Sequence, residues 1–319
     1  MWIRSLWFGS SVLNICNQIR AIQIQMSPAK SGFALVTPAS KGLGFAFARQ
    51  LLSNTDLPVL ATARRDTGQL RKVLLEQVND ETGKADERLR VFEVDVTGTE
   101  YIIPSCVLVL NNVLDEATIH AMAAQIREEF PQTPLRIAIT VPGVLHVEKS
   151  PTQIDAANAL HSFQVNALGP MLLMKHLAPF LPTKSSATFA DISLSAHVQR
   201  PWKLPSHAIY AMMAARVGSI SDNSTGGWYS YRASKASVFQ LTKTFDLYLR
   251  SRSRDRALAV ALHPGTVQTD FTKDYWDGRH MLQPEESAVK LLQHLCGMQT
   301  GDSDGRGRCW DWKGEEVLP

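Results

Sequence analysis

The 319-residue sequence predicts an α/β fold, a single doubly wound parallel sheet with helices on both faces. Three observations predict it. Short, near-continuous apolar runs recur along the chain, as in strands buried on both faces. Helical-period segments separate those runs, as crossovers between parallel strands require. A turn of small residues follows the first run, where such sheets bring backbone N–H groups to a helix N-terminus.

The elements follow in order from Ser31. Gly32 to Thr37 (GFALVT) is the first strand, and Phe45 to Leu52 begins the helical pattern. Leu57 to Ala63 is the second strand, Leu89 to Val96 the third and Arg136 to Val141 the fourth. A long helical segment runs from about Ile154 to Leu181, and Ala187 to Ile192 is read as the fifth strand. Tyr229 to Arg250 has a helical pattern, and Ala257 to Leu262 is the sixth strand. There are no repeats and no low-complexity linker, so residues 26–319 read as one domain.

Composition narrows the function. Apolar residues are 45% and charged residues 20%, the ordinary balance of a globular domain. A net charge of +3, with no basic patch interleaved with aromatics, argues against a nucleic-acid partner. Cys16, Cys106, Cys296 and Cys309 form no CxxC pair and no metal-ligand spacing. No metal site is expected, and the thiols suit a reducing compartment. Residues 1–25 carry Arg4 and Arg20, no acid and no unbroken apolar core. They read as a presequence-like extension or a misassigned start before Met26, and not as a membrane span. The cytoplasm is therefore expected, or the mitochondrion if the extension is a presequence.

One of six tyrosines has a lysine four residues later, in Tyr231-Arg232-Ala233-Ser234-Lys235. On a helix the two side chains share a face, one turn apart. A phenol titrates near pH 10 and is a poor proton donor or acceptor at neutral pH. An ammonium beside it favours the phenolate and brings it toward the working range. The first turn, Thr37-Pro38-Ala39-Ser40-Lys41-Gly42-Leu43-Gly44, lies where a dinucleotide pyrophosphate meets backbone N–H groups.

With these motifs the chain resembles the short-chain dehydrogenase/reductases, in the branch of cell-signalling-factor-like carbonyl reductases, whose fold is the Rossmann type. Thr37 to Gly44 resembles the family's TGxxxGxG, Asp95-Val96 its adenine-pocket acid, and Asn166 its helix asparagine. Gly226 to Lys235 resembles its YxxxK segment, and His263 to Asp270 its PG segment. The resemblance implies an NAD(P)-dependent oxidoreductase that interconverts a carbonyl and an alcohol by hydride transfer. Tyr231 is then the acid/base, Lys235 its partner, and Asn166 the residue that positions Lys235 through a water. It assigns cofactor contacts to Thr37, Ser40, Lys41, Gly42, Leu43, Gly44, Arg64, Asp95, Val96, Gly143, Tyr231, Lys235, Pro264, Gly265, Val267 and Thr269. At the end of the second strand Arg64 stands where NAD-preferring relatives carry an acid, so NADP(H) is favoured over NAD(H). The substrate is expected to be a small carbonyl or alcohol, apolar or aromatic, against Phe271, Tyr275, Trp276 and Met281. Family analogy implies a dimer or tetramer through the Asn166 and Tyr231 helices.

The pattern also breaks. Pro38 replaces the first glycine of the turn and removes a backbone N–H. Thr140-Val141-Pro142-Gly143 replaces the family's NNAG. Residues 98–114 and 194–214 read as insertions, either translated intron sequence or loops at the site. With the second removed, Ala215 falls where relatives carry the catalytic serine, and Ser193 lies one residue before it. Ser193 is the candidate hydroxyl. These departures keep an alternative open: a non-catalytic NAD(P)-binding or sensor protein with a degraded site.

Overall fold

The computed structural model describes residues 31–76, 78, 83–96, 116–189, 203–273, 281–301 and 305–319. Within them the strands are β1 (Phe33–Thr37), β2 (Val59–Ala63), β3 (Leu89–Glu93), β4 (Leu135–Thr140), β5 (Ala208–Met213), β6 (Ala257–His263), β7 (Cys309–Asp311) and β8 (Glu316–Val317). They form one sheet in the order β3-β2-β1-β4-β5-β6-β7-β8. Every neighbouring pair is parallel except β7 with β8. The strand order reverses between β1 and β4, which opens a crevice at the carboxyl ends of those strands.

The helices are α1 (Gly42–Asn54), α2 (Thr67–Leu75), α3 (Ala85–Arg88), α4 (Glu116–Glu129), α5 (Ala156–Phe163), α6 (Gly169–Leu177), α7 (Tyr229–Arg252) and α8 (Pro284–Gly297). Alternation along the strands sends side chains to both layers. On one face Phe33, Leu35, Tyr210 and Met212 pack with Ile119, Leu173, Val238 and Phe245 of α4, α6 and α7. On the other, Val36, Ile209 and Ala211 pack with Phe47, Leu51, Leu291 and Leu295 of α1 and α8. Each fully buried leucine there contributes about 1.5–3 kcal/mol, so both layers fix the sheet beneath the crevice.

The fifth strand differs from the sequence expectation. It is Ala208–Met213, inside the stretch read as an insertion, and not Ala187–Ile192. It pairs with β4 on one side and β6 on the other. The physical reason is burial: all six residues of AIYAMM are buried, whereas a central strand over 187–192 would carry Asp191 into an apolar sheet. Arg136 fastens the approach to this strand. Its guanidinium donates to the carbonyls of Leu204 and Pro205 and lies 5.0 Å from the Phe189 ring centroid. Residues 1–25 and 98–114, with Cys16, Cys106 and Ser193, lie outside the described residues. Cys296 and Cys309 are free thiols. Among the described residues no helix is long and apolar enough to cross a membrane.

Candidate active site

The carboxyl ends of β1, β4, β5 and β6 surround a cleft of about 740 Å³. Ser40, Lys41, Gly42, Leu43 and Gly44 form one wall, and Gly143, Tyr231 and Lys235 form the floor. Pro264, Gly265, Val267 and Thr269 close the side after β6. The helical spacing of the tyrosine and lysine therefore does bring both into one cavity.

The turn after β1 is shaped by contact. A Cβ on Gly44 would collide with the Pro38 carbonyl oxygen, and Gly42 takes a left-handed φ of 57°. Lys41, the N-cap residue of α1, provides no side-chain cap, and the first turn carries no acid. The first N–H groups of α1 thus keep their donors and partial positive charge for an anion. Across the cleft mouth Lys41 Nζ donates to Asp270 at 3.1 Å, both side chains being well exposed. Thr37 does not line the cleft; its hydroxyl is 2.7 Å from that of Thr62 in the interior. Arg64, Asp95 and Val96 also lie outside the cleft lining. The Asp95 backbone N–H donates to Thr118 at 3.0 Å.

Tyr231 and Lys235 stand on the first two turns of α7, 8% and 3% exposed. Lys235 Nζ donates to the carbonyl of Met213 at 2.9 Å and points toward that of Pro142 at 3.4 Å. Burial lowers its pKa to about 8, because desolvation penalises the ammonium. The ring of Phe271 lies 6.0 Å from that of Tyr231, and Trp228 and Leu145 also line this end. Of the four expected wall residues, Tyr275 and Trp276 lie outside the described residues.

Asn166 sits in a π-helical turn, Gln164–Leu168, between α5 and α6. Its side chain grips the segment after β4: Oδ1 accepts from Val144 N–H at 2.8 Å, and Nδ2 donates to the Val144 carbonyl at 2.9 Å. Nδ2 also donates to Ser234 Oγ at 3.0 Å. Its direct contacts are thus with the residue before Lys235 and with the strap that passes it.

The chain after β5 reads Ala214-Ala215, and both line the cleft. The strand-end placement that made Ser193 the candidate hydroxyl belongs instead to Met213. Two residues to which the sequence gives no role also stand at the site. His263, the last residue of β6, lines the cleft, and its Nδ1 accepts the Arg216 N–H at 3.2 Å. Burial holds its pKa down to about 4, so the ring is neutral. Glu148 is buried against the start of α7, its carboxylate accepting from Ser230. A histidine before a Pro-Gly carries a local signal; a glutamate far from its partner in sequence carries none.

No family model matches the chain. A 1-hydroxy-2-glutathionyl-2-methyl-3-butene dehydrogenase of Rhodococcus sp. (strain AD45) is 27% identical over 195 residues, covering 61% of this chain and 73% of that protein. C-signal of Myxococcus xanthus is 27% identical over 185 residues, 58% of this chain and 92% of its own length. These two matches support the resemblance to the short-chain dehydrogenase/reductases. Solved structures resemble it in fold. Carbonyl reductase Sniffer of D. melanogaster matches with a TM-score of 0.68 at 21% identity, covering 91% of this chain and all of that one. The NADPH-bound carbonyl reductase from chicken fatty liver matches with a TM-score of 0.68 at 23% identity over the same shares. The dehydrogenase among these relatives favours the oxidoreductase reading over a non-catalytic sensor.

Proposed function

We propose that the protein is an NADP(H)-dependent oxidoreductase that interconverts a small carbonyl compound and its alcohol. The observation that carries this reading is the buried Tyr231/Lys235 pair in one cleft with the glycine turn and uncapped helix start after β1. The cofactor supplies or accepts the hydride. Gly42, Leu43 and Gly44 fit its pyrophosphate, since the turn leaves room for close backbone approach. Lys41 and Arg64 supply the positive charge for a ribose 2′-phosphate, with Ser40 beside them. Gly143, Pro264, Gly265, Val267 and Thr269 form the wall against its nicotinamide half. Asp95 and Val96 serve its adenine from the end of β3, and Thr37 supports the turn from behind.

Tyr231 gives a proton to the substrate oxygen during reduction and takes it back during oxidation. Lys235 favours the phenolate through its charge. Asn166 holds Ser234 and the strap at Val144, which fixes the helix turn that carries both residues. Phe271, Trp228 and Leu145 form an apolar and aromatic end of the cleft, suited to an apolar or aromatic carbonyl compound. The NADPH-bound relative from chicken liver supports the choice of NADP(H) over NAD(H).

A second copy of the chain is the proposed partner. Leu160, Leu168 and Met171 flank Asn166 on exposed helix faces, and Leu247 and Tyr248 are exposed on α7. The free thiols fit the cytoplasm. The test is NADPH oxidation by the full chain over a panel of ketones and aldehydes, with Tyr231→Phe beside it. Turnover should fall by about 10²–10⁴-fold in the variant, while NADPH still quenches tryptophan fluorescence. NADPH binding without oxidation of any panel member by the unaltered protein would favour the sensor reading instead.

A further inference from the structure

We infer that Glu148 is a positioning residue for Tyr231, holding the start of α7 so that the phenol keeps its place in the cleft. The inference rests on the proton-transfer role proposed above for Tyr231.

The start of α7 lacks a cap of its own. Trp228, the N-cap residue, has a left-handed backbone with φ 50° and forms no side-chain cap. The cap comes from another part of the chain. The Glu148 carboxylate accepts the Ser230 N–H at 2.7 Å and the Ser230 hydroxyl at 2.5 Å. Its backbone carbonyl accepts the Trp228 N–H at 2.6 Å. Glu148 is only 2% exposed, and among the described residues no cation pairs with it. Its charge is met by two donors and by the positive end of a 24-residue helix. Ser230 immediately precedes Tyr231.

The same strap is tied to α7 at three levels. Lys235 points to the Pro142 carbonyl, Asn166 joins Val144 to Ser234, and Glu148 binds Ser230. Tyr231 lies between the Ser230 and Ser234 ties. Its position is therefore set against the strand β4 segment from both sides. The arrangement also has an electrostatic consequence. The buried Glu148 carboxylate, bound to the residue before Tyr231, opposes the phenolate, while the Lys235 ammonium favours it. Removing that negative charge lowers the pH at which Tyr231 loses its proton.

The experiment compares the full-length protein with Glu148→Gln and Glu148→Ala. Glutamine keeps an acceptor for the Ser230 N–H and removes the charge; alanine removes both. Glu148→Ala should lower kcat by about 10–100-fold, the scale of a slightly misplaced catalytic group, with KM for NADPH within about threefold. Amide exchange over residues 229–235 should speed at least about tenfold. Glu148→Gln should recover most of kcat, and its loss of reduction rate at high pH should begin at a lower pH than in the unaltered protein. An unchanged pH profile in Glu148→Gln, or unchanged exchange at the start of α7 in either variant, would overturn the inference. If the unaltered protein reduces no carbonyl compound, the reading of Tyr231 fails, and the exchange measurement alone decides whether Glu148 holds the helix. If Glu148→Ala does not fold, the Glu148→Gln measurements decide.

Discussion

Lys235 Nζ donates to the carbonyl oxygen of Met213 at 2.9 Å, tying the second turn of α7 to the last residue of β5. The next two residues of that strand end are alanines lining the cleft. The ammonium is thus held beside a strand end that lines the cleft, and Ala215 there offers no hydroxyl to polarise a carbonyl. Ala215→Ser should restore a donor there. One well-placed donor is worth about 10²–10³ in rate, so a rise of at least about tenfold in kcat/KM is expected, with NADPH binding unchanged. Ser193→Ala, measured in parallel, should stay within about twofold. A hundredfold loss in Ser193→Ala would return the hydroxyl role to Ser193.

The buried Lys235 ammonium costs stability at neutral pH. Its pKa in the folded protein is about 8, against 10.5 when exposed. Between those values the unfolded chain binds more protons, so stability rises as pH rises through that window. Below pH 8 the full penalty applies. Lys235→Met should therefore be more stable than the unaltered protein at pH 7, by about 1–3 kcal/mol after allowing for two lost hydrogen bonds. Urea unfolding at pH 7 and at pH 10.5 checks this: the advantage should shrink at the higher pH. Activity should be lost in the same variant.

Tyr210 tests the position of β5. Its side chain is fully buried between the sheet and Phe245, with ring centroids 5.1 Å apart. Its hydroxyl has no partner among the described residues, and burial raises its pKa. An unsatisfied buried hydroxyl costs roughly 1–3 kcal/mol. Tyr210→Phe keeps the ring contact and removes the orphan, so stability should rise by about 1 kcal/mol or stay level. A loss of 2 kcal/mol or more in urea unfolding would mean that the hydroxyl has a partner and that the strand is packed differently.

Much of the fold was legible because its signals are local. Apolar runs marked β1, β2, β4 and β6 to within a residue or two, and the i, i+4 spacing of Tyr231 and Lys235 placed both in the cleft. The fifth strand was misread because two apolar runs, Ala187–Ile192 and Ala208–Met213, compete for one slot. Ile192-Ser193 resembles the family's strand-end motif, so the local signal points to the first run, whereas burial selects the second. β7 and β8 are three and two residues long, too short to show a period. Glu148 was invisible for a different reason: its partner Ser230 is 82 positions away, and only the fold brings them together. The reach of the Asn166 side chain to Val144 and Ser234 is likewise a tertiary fact.

Cofactor preference gives the last prediction, and it turns on Lys41. Its ammonium pairs with Asp270 at 3.1 Å, with about three-quarters of each side chain exposed. Such an exposed pair is worth at most about 1 kcal/mol. A phosphate dianion is a stronger partner, since charge-assisted hydrogen bonds contribute about 1.5–3 kcal/mol each. NADPH should therefore draw Lys41 from Asp270, whereas NADH, lacking the 2′-phosphate, should not. Lys41→Ala combined with Arg64→Ala should raise KM for NADPH by about 10–100-fold and leave KM for NADH within about threefold. Asp270→Ala acts in the opposite direction: it frees Lys41 and should lower KM for NADPH about two- to fivefold, less so at high salt, where the pair is already screened. Equal changes for both cofactors in the double variant would show that these cations do not read the 2′-phosphate.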